Sequence, residues 1–218
     1  EREPEYGPAW SALATLHCQM YVFDAPGFVD PLETGLDYAN RGVFLEPGRQ
    51  LSRLILAYAS LLGGSFDTFR EEAEVTLALN PNNPYAVGTV GYMHVLLGDF
   101  EEGCRLLDAA TAHNPLHPRW FHNGYFLDRF HQEDYQGAFE SMTAPDENDF
   151  WQPGLLAAAL GKLDRADEAA GFVASLLERQ PDFPQRARDL LRRSIKVESL
   201  VDDLVDGFRR AGVPIPGV

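Results

Sequence analysis

The sequence predicts an all-α protein, an α-solenoid in which helix pairs stack one after another and a C-terminal helical cap closes the array. Apolar residues recur at three- and four-residue steps through most of the chain, as helices with one buried stripe require. Three helix-ending prolines, Pro47, Pro81 and Pro115, stand 34 residues apart in the phrases LEP, LNP and HNP. A fixed period of this length is typical of stacked helix-turn-helix units.

The clearest unit runs from Pro84 to Pro115 and contains two helical patterns joined by a turn at residues 97–100. Gly98 is predicted to end the first helix and Asp99 to cap the second. Small residues along both helices allow their axes to approach closely. These residues are Gly91, Gly103 and Ala110.

The same register predicts five helix pairs along the chain. Their limits are about 6–47, 48–81, 82–115, 116–147 and 148–183. The first pair contains an enlarged loop, Val22 to Asp30, and the fourth has a short second helix, Asp134 to Met142, that Pro145 ends. Pro181 follows Pro115 by 66 residues, which is two residues fewer than two 34-residue periods. One of the two pairs between these prolines is therefore predicted to be shortened.

The period is lost after Pro184, but helical patterning continues over Gln185–Ile195 and Glu198–Ala211. Because the last unit of a solenoid needs a polar outer face, residues 184–218 are predicted to be capping helices and a tail. The charged residues that would form this face are Arg186, Arg188, Arg192, Arg193, Asp202, Asp203, Arg209 and Arg210.

The charge of the chain limits its partners. Its 218 residues include 18 Lys plus Arg and 33 Asp plus Glu, a formal charge of −15. A net negative charge opposes direct nucleic-acid binding, which requires a surface that neutralises phosphates. The acidity favours solubility and is compatible with a partner that has basic segments.

Cysteine content and hydropathy point to a reducing, aqueous compartment. The two cysteines, Cys18 and Cys104, lie 86 residues apart within helical patterns and imply no disulfide framework. No apolar run approaches the roughly 18 residues of a membrane span, so a cytoplasmic location without membrane insertion is expected. Glu1 opens the chain in place of Met and no signal-type segment follows it, so we expect a piece of a longer or processed protein.

The chain resembles the tetratricopeptide-repeat (TPR) family over nearly its whole length. The likeness is most specific in the Pro84–Pro115 unit, and Trp10, Leu13 and Ala14 match the W-x2-L-G/A start of the family pattern. The resemblance implies a right-handed superhelix. Its concave face, lined by the first helix of each repeat, would hold a peptide or a partner's helix.

A narrower resemblance is to the C-terminal repeat regions of some bacterial multidomain signalling proteins. It rests on the enlarged first loop, on the phrase HNPLHPRWFHNGYF and on the ending from Asp206 to Pro214. In those proteins similar arrays follow class III nucleotide cyclase, winged-helix regulator or TIR domains. The resemblance therefore implies a regulatory module attached to such a domain.

Helical spacing indicates which side chains would line the concave face, because residues four apart share one side of a helix. Tyrosine and tryptophan are frequent in binding hot spots because they combine a large apolar area with a polar group. The predicted partner-binding residues are Leu54, Tyr58, Tyr85, Tyr92, Trp120, Asn123, Leu127 and Trp151. Packing of some of these side chains between helices is the alternative interpretation.

The residues that could support catalysis or metal binding form no recognisable pattern. His113, His117 and His122 cluster around Pro115, but they straddle a proline turn, so capping and turn roles are favoured over metal ligation. No phosphate-binding, dinucleotide-binding, nucleophile-elbow or zinc-protease motif occurs. The sequence therefore predicts no enzymatic activity, no cofactor and no metal.

The resulting functional hypothesis is a noncatalytic protein–protein interaction module within a larger bacterial signalling or regulatory protein. Two alternatives stay open at this point. One is self-association, in which the array makes an attached effector oligomeric. The other is a regulatory domain whose groove holds a small ligand or a segment of an attached N-terminal effector.

Overall fold

The computed structural model describes residues 5–142 and 151–216, and within these ranges the regular structure is entirely helical. The α-helices are α1 (Gly7–Val22), α2 (Pro31–Leu45), α3 (Gln50–Leu62), α4 (Phe66–Leu79), α5 (Pro84–Leu97), α6 (Phe100–His113), α7 (His122–His131), α8 (Tyr135–Ser141), α9 (Gln152–Lys162), α10 (Ala166–Arg179), α11 (Phe183–Ser194) and α12 (Glu198–Arg210). A 3₁₀ turn, Arg119–Phe121, precedes α7. The predicted all-α class is therefore confirmed.

The helix ends follow from local chemistry. Gly98 has φ +102°, a left-handed conformation that glycine adopts without strain, and its N–H donates to the carbonyl groups of His94 and Val95. The predicted stop of α5 at Gly98 is thus confirmed. Between α1 and α2 the enlarged loop occurs as predicted, with Asp24 and Asp30 also at positive φ.

The region around α7 and α8 departs from the prediction. The sequence predicts that the first helix of the fourth pair runs from about His117 to His131. The regular helix begins at His122 because Pro118, before the 3₁₀ turn, holds an extended ψ of 131°. Asp134 caps α8 by accepting a hydrogen bond from the Gly137 N–H at 2.9 Å. Pro145, which is predicted to end the second helix of the fourth pair, lies outside the described residues.

The chain divides into two compact units. Unit 1 comprises Glu1–Met93 and Leu106–His117, and unit 2 comprises His94–Arg105 and Pro118–Val218. The division falls within α5 and α6 and is not one of the predicted repeat boundaries. The limits of the five predicted helix pairs and of the predicted cap therefore remain a prediction.

In unit 1, α1 packs against both α2 and α3. The Ser11 and Ser52 hydroxyl groups form a buried hydrogen bond of 2.9 Å between α1 and α3. A Cβ atom added to Gly42 would lie 2.6 Å from Ser11 Oγ, so α2 approaches α1 very closely at this point. The apolar core between these helices consists of Ala14, Cys18, Val22, Ala39, Ile55, Leu56, Ala59 and Leu62.

In unit 2, α9 packs against α10 and α12. A Cβ atom on Gly161 would clash with the Gly207 carbonyl oxygen, so these glycines mark a near-contact of the two backbones. At the edge of this crossing, Lys162 Nζ lies 3.3 Å from Asp203 and 3.0 Å from Asp206. The short segment after α11 is also anchored, since the Lys196 N–H donates to the Leu96 carbonyl at 2.8 Å.

The two C-terminal helices bury one face and expose the other. Phe183 and Phe208 meet edge to face, with ring centroids 5.0 Å apart, and both are buried. On the exposed side, arginines pair with carboxylates between and within the helices. These ion pairs include Arg186–Asp182, Arg188–Asp202, Arg192–Glu198, Arg193–Asp189 and Arg210–Asp206.

Across the described ranges, no helix has the length and apolar character needed to cross a bilayer.

Candidate partner-binding surface

The first helices of the predicted repeats differ sharply from the second helices in charge. Helices α1, α3 and α5 total 43 residues and contain one charged residue, Arg53. Helices α2, α4 and α6 also total 43 residues and contain three, five and four charged residues. The acidity of this half of the chain therefore lies on the second helices, and the first helices present an apolar composition.

Three of the predicted binding residues, Tyr58, Tyr85 and Tyr92, lie in unit 1. Tyr58 on α3 lies close enough to Tyr85 and Tyr92 on α5 for their charges to interact. Loss of hydration raises the pKa of Tyr58, and the negative charges of Cys18, Tyr92 and Tyr85 would raise it further. Tyr58 therefore remains neutral at physiological pH.

The tyrosines differ in exposure. Tyr85 is 49% exposed, while Tyr58 and Tyr92 are partly buried. Leu51 is exposed on α3, and its spacing of seven residues from Tyr58 places both side chains on one side of that helix. We call Leu51, Tyr58, Tyr85 and Tyr92 the tyrosine face.

Leu54 does not contribute to an accessible surface. The sequence predicts that it lines the concave face, but its side chain is buried, with 2% of its surface exposed. The reason is the position of α3, which has α1, α2 and α4 packed against it. Leu54 therefore follows the alternative interpretation, packing between helices.

Unit 2 contains the other four predicted residues. Asn123 and Leu127 are buried on α7, so they too lie in the interior and not at a surface. Trp120, in the 3₁₀ turn, is partly buried and meets Phe121 edge to face at 4.6 Å. Trp151 is partly buried just before α9, and its carbonyl accepts the Leu155 N–H at 3.0 Å. Of these four, only the tryptophans retain accessible surface.

The histidines near Pro115 have local roles. His113 Nδ1 lies 2.7 Å from the Ala109 carbonyl, and His117 Nδ1 lies 3.1 Å from the Asn114 carbonyl. Since a carbonyl only accepts, both nitrogen atoms carry the proton and donate, which matches the predicted capping and turn roles. In the part of the chain that the structure describes, no group of three or more His, Cys, Asp or Glu side chains is placed to hold a metal.

Sequence reasoning missed a second surface feature, an aromatic cluster between α1, α2 and the enlarged loop. The His17 ring packs edge to face against Phe28 at 5.4 Å and against Tyr38 at 5.3 Å. Trp10 also contacts Tyr38, with centroids 5.2 Å apart. The feature of the sequence that could have indicated this cluster is the composition of α1, which has no Asp, Glu, Lys or Arg in 16 residues.

No protein-family model and no curated protein sequence matches the chain. Its structure is similar to a chain in the crystal structure of the APC/C hetero-tetramer Cut9–Hcn1, with a TM-score of 0.68 and 16% sequence identity. The match covers 96% of this chain and 41% of that chain, so this chain spans less than half the length of its structural neighbour. At this identity the likeness concerns the fold. The chain has the fold of a tetratricopeptide-like helical repeat, an α-solenoid.

Proposed function

We propose that this chain is a noncatalytic protein-interaction scaffold and that its binding surface in unit 1 is the tyrosine face. The observation that carries the proposal is the accessible surface of Leu51, Tyr58, Tyr85 and Tyr92 on two first helices of nearly uncharged composition. Tyr58 also lies close enough to Tyr85 and Tyr92 for an electrostatic interaction. Such side chains bury a large area at a low cost in conformational entropy and offer hydroxyl groups for hydrogen bonds. A repeat fold supports this role because the surface exists before the partner arrives.

The chemistry of the face favours an apolar ligand. The one charged side chain of α1, α3 and α5 is Arg53, which pairs with Glu72 at 2.8 Å and is partly buried. A basic segment would find no carboxylate from these three helices. The ligand proposed here is therefore the apolar side of an amphipathic helix, held as in other helix-in-groove complexes.

The biological setting follows from the sequence resemblance alone. The likeness to repeat regions of bacterial signalling proteins supports a cytoplasmic module that brings a partner to an attached regulatory or effector domain. Trp120 and Trp151 of unit 2 are proposed as further contact residues on the strength of their residue type and partial exposure.

Selection from a random peptide library displayed on phage tests the ligand class. The wild-type chain is used for selection, and the Tyr85→Ala/Tyr92→Ala variant is used for counter-selection. We expect enriched peptides with apolar residues at i, i+3, i+4 and i+7, and at least about tenfold weaker binding to the double variant. Fluorescence anisotropy of labelled synthetic peptides measures the affinities.

The control variant is Phe44→Ala, which removes an exposed aromatic ring from α2, outside the tyrosine face. It should bind the selected peptides as tightly as the wild type. Far-UV circular dichroism confirms that each variant is folded. Enrichment of basic peptides, or equal binding by a folded double variant, rejects the tyrosine face as the site.

A further inference from the structure

The first helices of three pairs can be compared position by position, because the second helices that follow them end alike. Helices α4, α6 and α10 each have 14 residues and end two residues before a proline. The residues 23 positions before these prolines are Tyr58 of α3, Tyr92 of α5 and Ala158 of α9. The residues 30 positions before them are Leu51, Tyr85 and Trp151. The side of α9 that carries Ala158 is therefore the equivalent, in unit 2, of the tyrosine face.

Helix α12 covers this side of α9. Ala158 is fully buried, and a Cβ atom added to Gly207 of α12 would lie 2.5 Å from the Ala158 carbonyl oxygen. One turn before Ala158, the Phe208 ring lies 3.5 Å from the Cβ position of Gly154. One turn after it, the backbones of Gly161 and Gly207 are in near-contact. In unit 2, a helix thus already occupies the surface that corresponds to the tyrosine face.

Helix α12 and the residues just before it also contact two other first helices within unit 2. It packs against α7, and the Lys196 N–H donates to the carbonyl of Leu96 in the last turn of α5. A Cβ atom on Gly98, which ends α5, would lie 2.7 Å from Val197 Cγ2. The C-terminal segment therefore contacts three successive first helices, as a helix bound in the groove of a repeat array would.

The sequence of α12 is that of an amphipathic helix with a small residue at the crossing point. Its buried residues are Leu200, Val201, Leu204, Val205, Gly207 and Phe208. At the polar edge, Lys162 Nζ of α9 lies 3.3 Å from Asp203 and 3.0 Å from Asp206, and the Lys162 side chain is only 11% exposed. The order D-x-x-D-G-F over residues 203–208 thus supplies two carboxylates for Lys162, a glycine for close approach and a ring beside Gly154.

We propose that α12 is an internal ligand of unit 2, and that a partner helix with the same D-x-x-D-G-F chemistry replaces it on α9. The exchange preserves the contacts, because the incoming helix covers the same apolar surface and pairs with Lys162. While α12 is docked, its covalent link gives it an effective concentration in the millimolar range, which excludes free helices at micromolar concentrations. The contact is therefore autoinhibitory.

Binding of a fluorescein-labelled synthetic peptide of residues 197–213 to the full 218-residue chain tests the proposal. Fluorescence anisotropy should detect no binding to the wild type up to about 100 μM peptide, because the linked α12 excludes it. Gly207→Leu loosens α12 by placing a side chain against the Ala158 carbonyl, so this variant should bind the peptide at least about tenfold more tightly. The matched control is Gly171→Leu on α10, which meets no obstacle and should behave like the wild type.

Two further arms identify where the peptide binds. A peptide that itself carries Gly207→Leu should bind none of the chains, because it cannot approach α9. Binding of the wild-type peptide should persist when Tyr85→Ala/Tyr92→Ala is combined with Gly207→Leu in the chain. Loss of binding in that combination, or equal binding by the wild type and a folded Gly207→Leu variant, overturns the proposal.

Hydrogen exchange of the wild-type chain tests the release of α12 without any substitution, and it decides the matter if Gly207→Leu does not fold. An internal ligand opens separately from the surface that it covers, so α12 amides should exchange at least about tenfold faster than α9 amides. A common exchange rate for both helices would show that α12 leaves only when unit 2 unfolds, and would overturn the proposal. These tests concern unit 2, so their failure leaves the tyrosine face of unit 1 as the proposed site.

Discussion

At the scale of single residues, burial controls the chemistry of the side chains beneath the tyrosine face. Cys18 is fully buried in the core of unit 1, and loss of hydration raises the pKa of its thiol to about 12. Since the thiolate is the reactive form, Cys18 should be both inaccessible and almost fully protonated at neutral pH. It acts as a small apolar core residue and not as a nucleophile.

We therefore predict that Cys18 does not react with a thiol reagent such as DTNB at about pH 8 until the chain unfolds. The measurement compares the Cys104→Ser variant, in which Cys18 is the remaining cysteine, in buffer and in denaturant. One thiol should appear in denaturant and essentially none in buffer. Rapid reaction of the folded variant would show that α1 opens away from α2 and α3.

Residue spacing placed the tyrosines in the same predicted group as Leu54 and Leu127, which are buried, and could not separate the two kinds of position. On one helix, concave-face residues and inter-helix residues follow the same three- and four-residue steps. The difference depends on how wide an arc the neighbouring helices cover, which is a property of the packed structure. Leu51 remains accessible at the start of α3, whereas Leu54, one turn further on, is covered.

At the scale of elements, a pair of glycines determines how closely α9 and α12 approach. A Cβ atom at Gly207 would lie 2.5 Å from the Ala158 carbonyl oxygen, a separation that backbone atoms cannot relieve without moving a helix. Gly171, on α10, is also in a helix, but an added Cβ atom there meets nothing within 4 Å. Alanine substitutions at Gly207 and Gly171 therefore distinguish the effect of close packing from the effect of helix propensity.

We predict that Gly207→Ala lowers the free energy of unfolding by about 2 kcal/mol, because the overpacked helices must separate. By contrast, Gly171→Ala should raise it by up to about 1 kcal/mol, because alanine favours the helix and meets no obstacle. Urea denaturation followed by far-UV circular dichroism measures both changes. A stabilised Gly207→Ala variant would mean that α9 and α12 are not in near-contact.

At the scale of the whole chain, the 34-residue period was sufficient to predict the fold. Prolines and glycines end helices through local geometry. Their spacing therefore predicts the helix-turn-helix pattern even when tertiary contacts are unknown. The same signals could not predict the division into two compact units within α5 and α6, since that division depends on how strongly neighbouring helices pack.

The ion pairs around Lys162 lead to a prediction about acid stability. Partial burial alone would raise the pKa of Asp206, but the hydrogen bond from Lys162 and the charges of Lys162 and Arg210 outweigh this effect and hold the pKa below its ordinary value of 3.8. The unfolded chain therefore binds this proton more readily than the folded chain. The stabilisation is complete above the ordinary pKa and is lost as the pH falls through the lower, folded value.

We accordingly predict that Asp206→Asn destabilises the chain by about 0.5–1 kcal/mol at neutral pH, a size typical of a partly exposed ion pair. The difference from the wild type should shrink as the pH falls below 3.8 and through the lower, folded pKa of Asp206. Glu178→Gln, an exposed change on α10, is the control for the loss of one negative charge in unit 2. Urea midpoints between about pH 7 and pH 3 provide the measurement. If the Asp206→Asn deficit stayed constant with pH, or the control showed the same convergence, the Lys162 ion pairs would not be the source of the acid sensitivity.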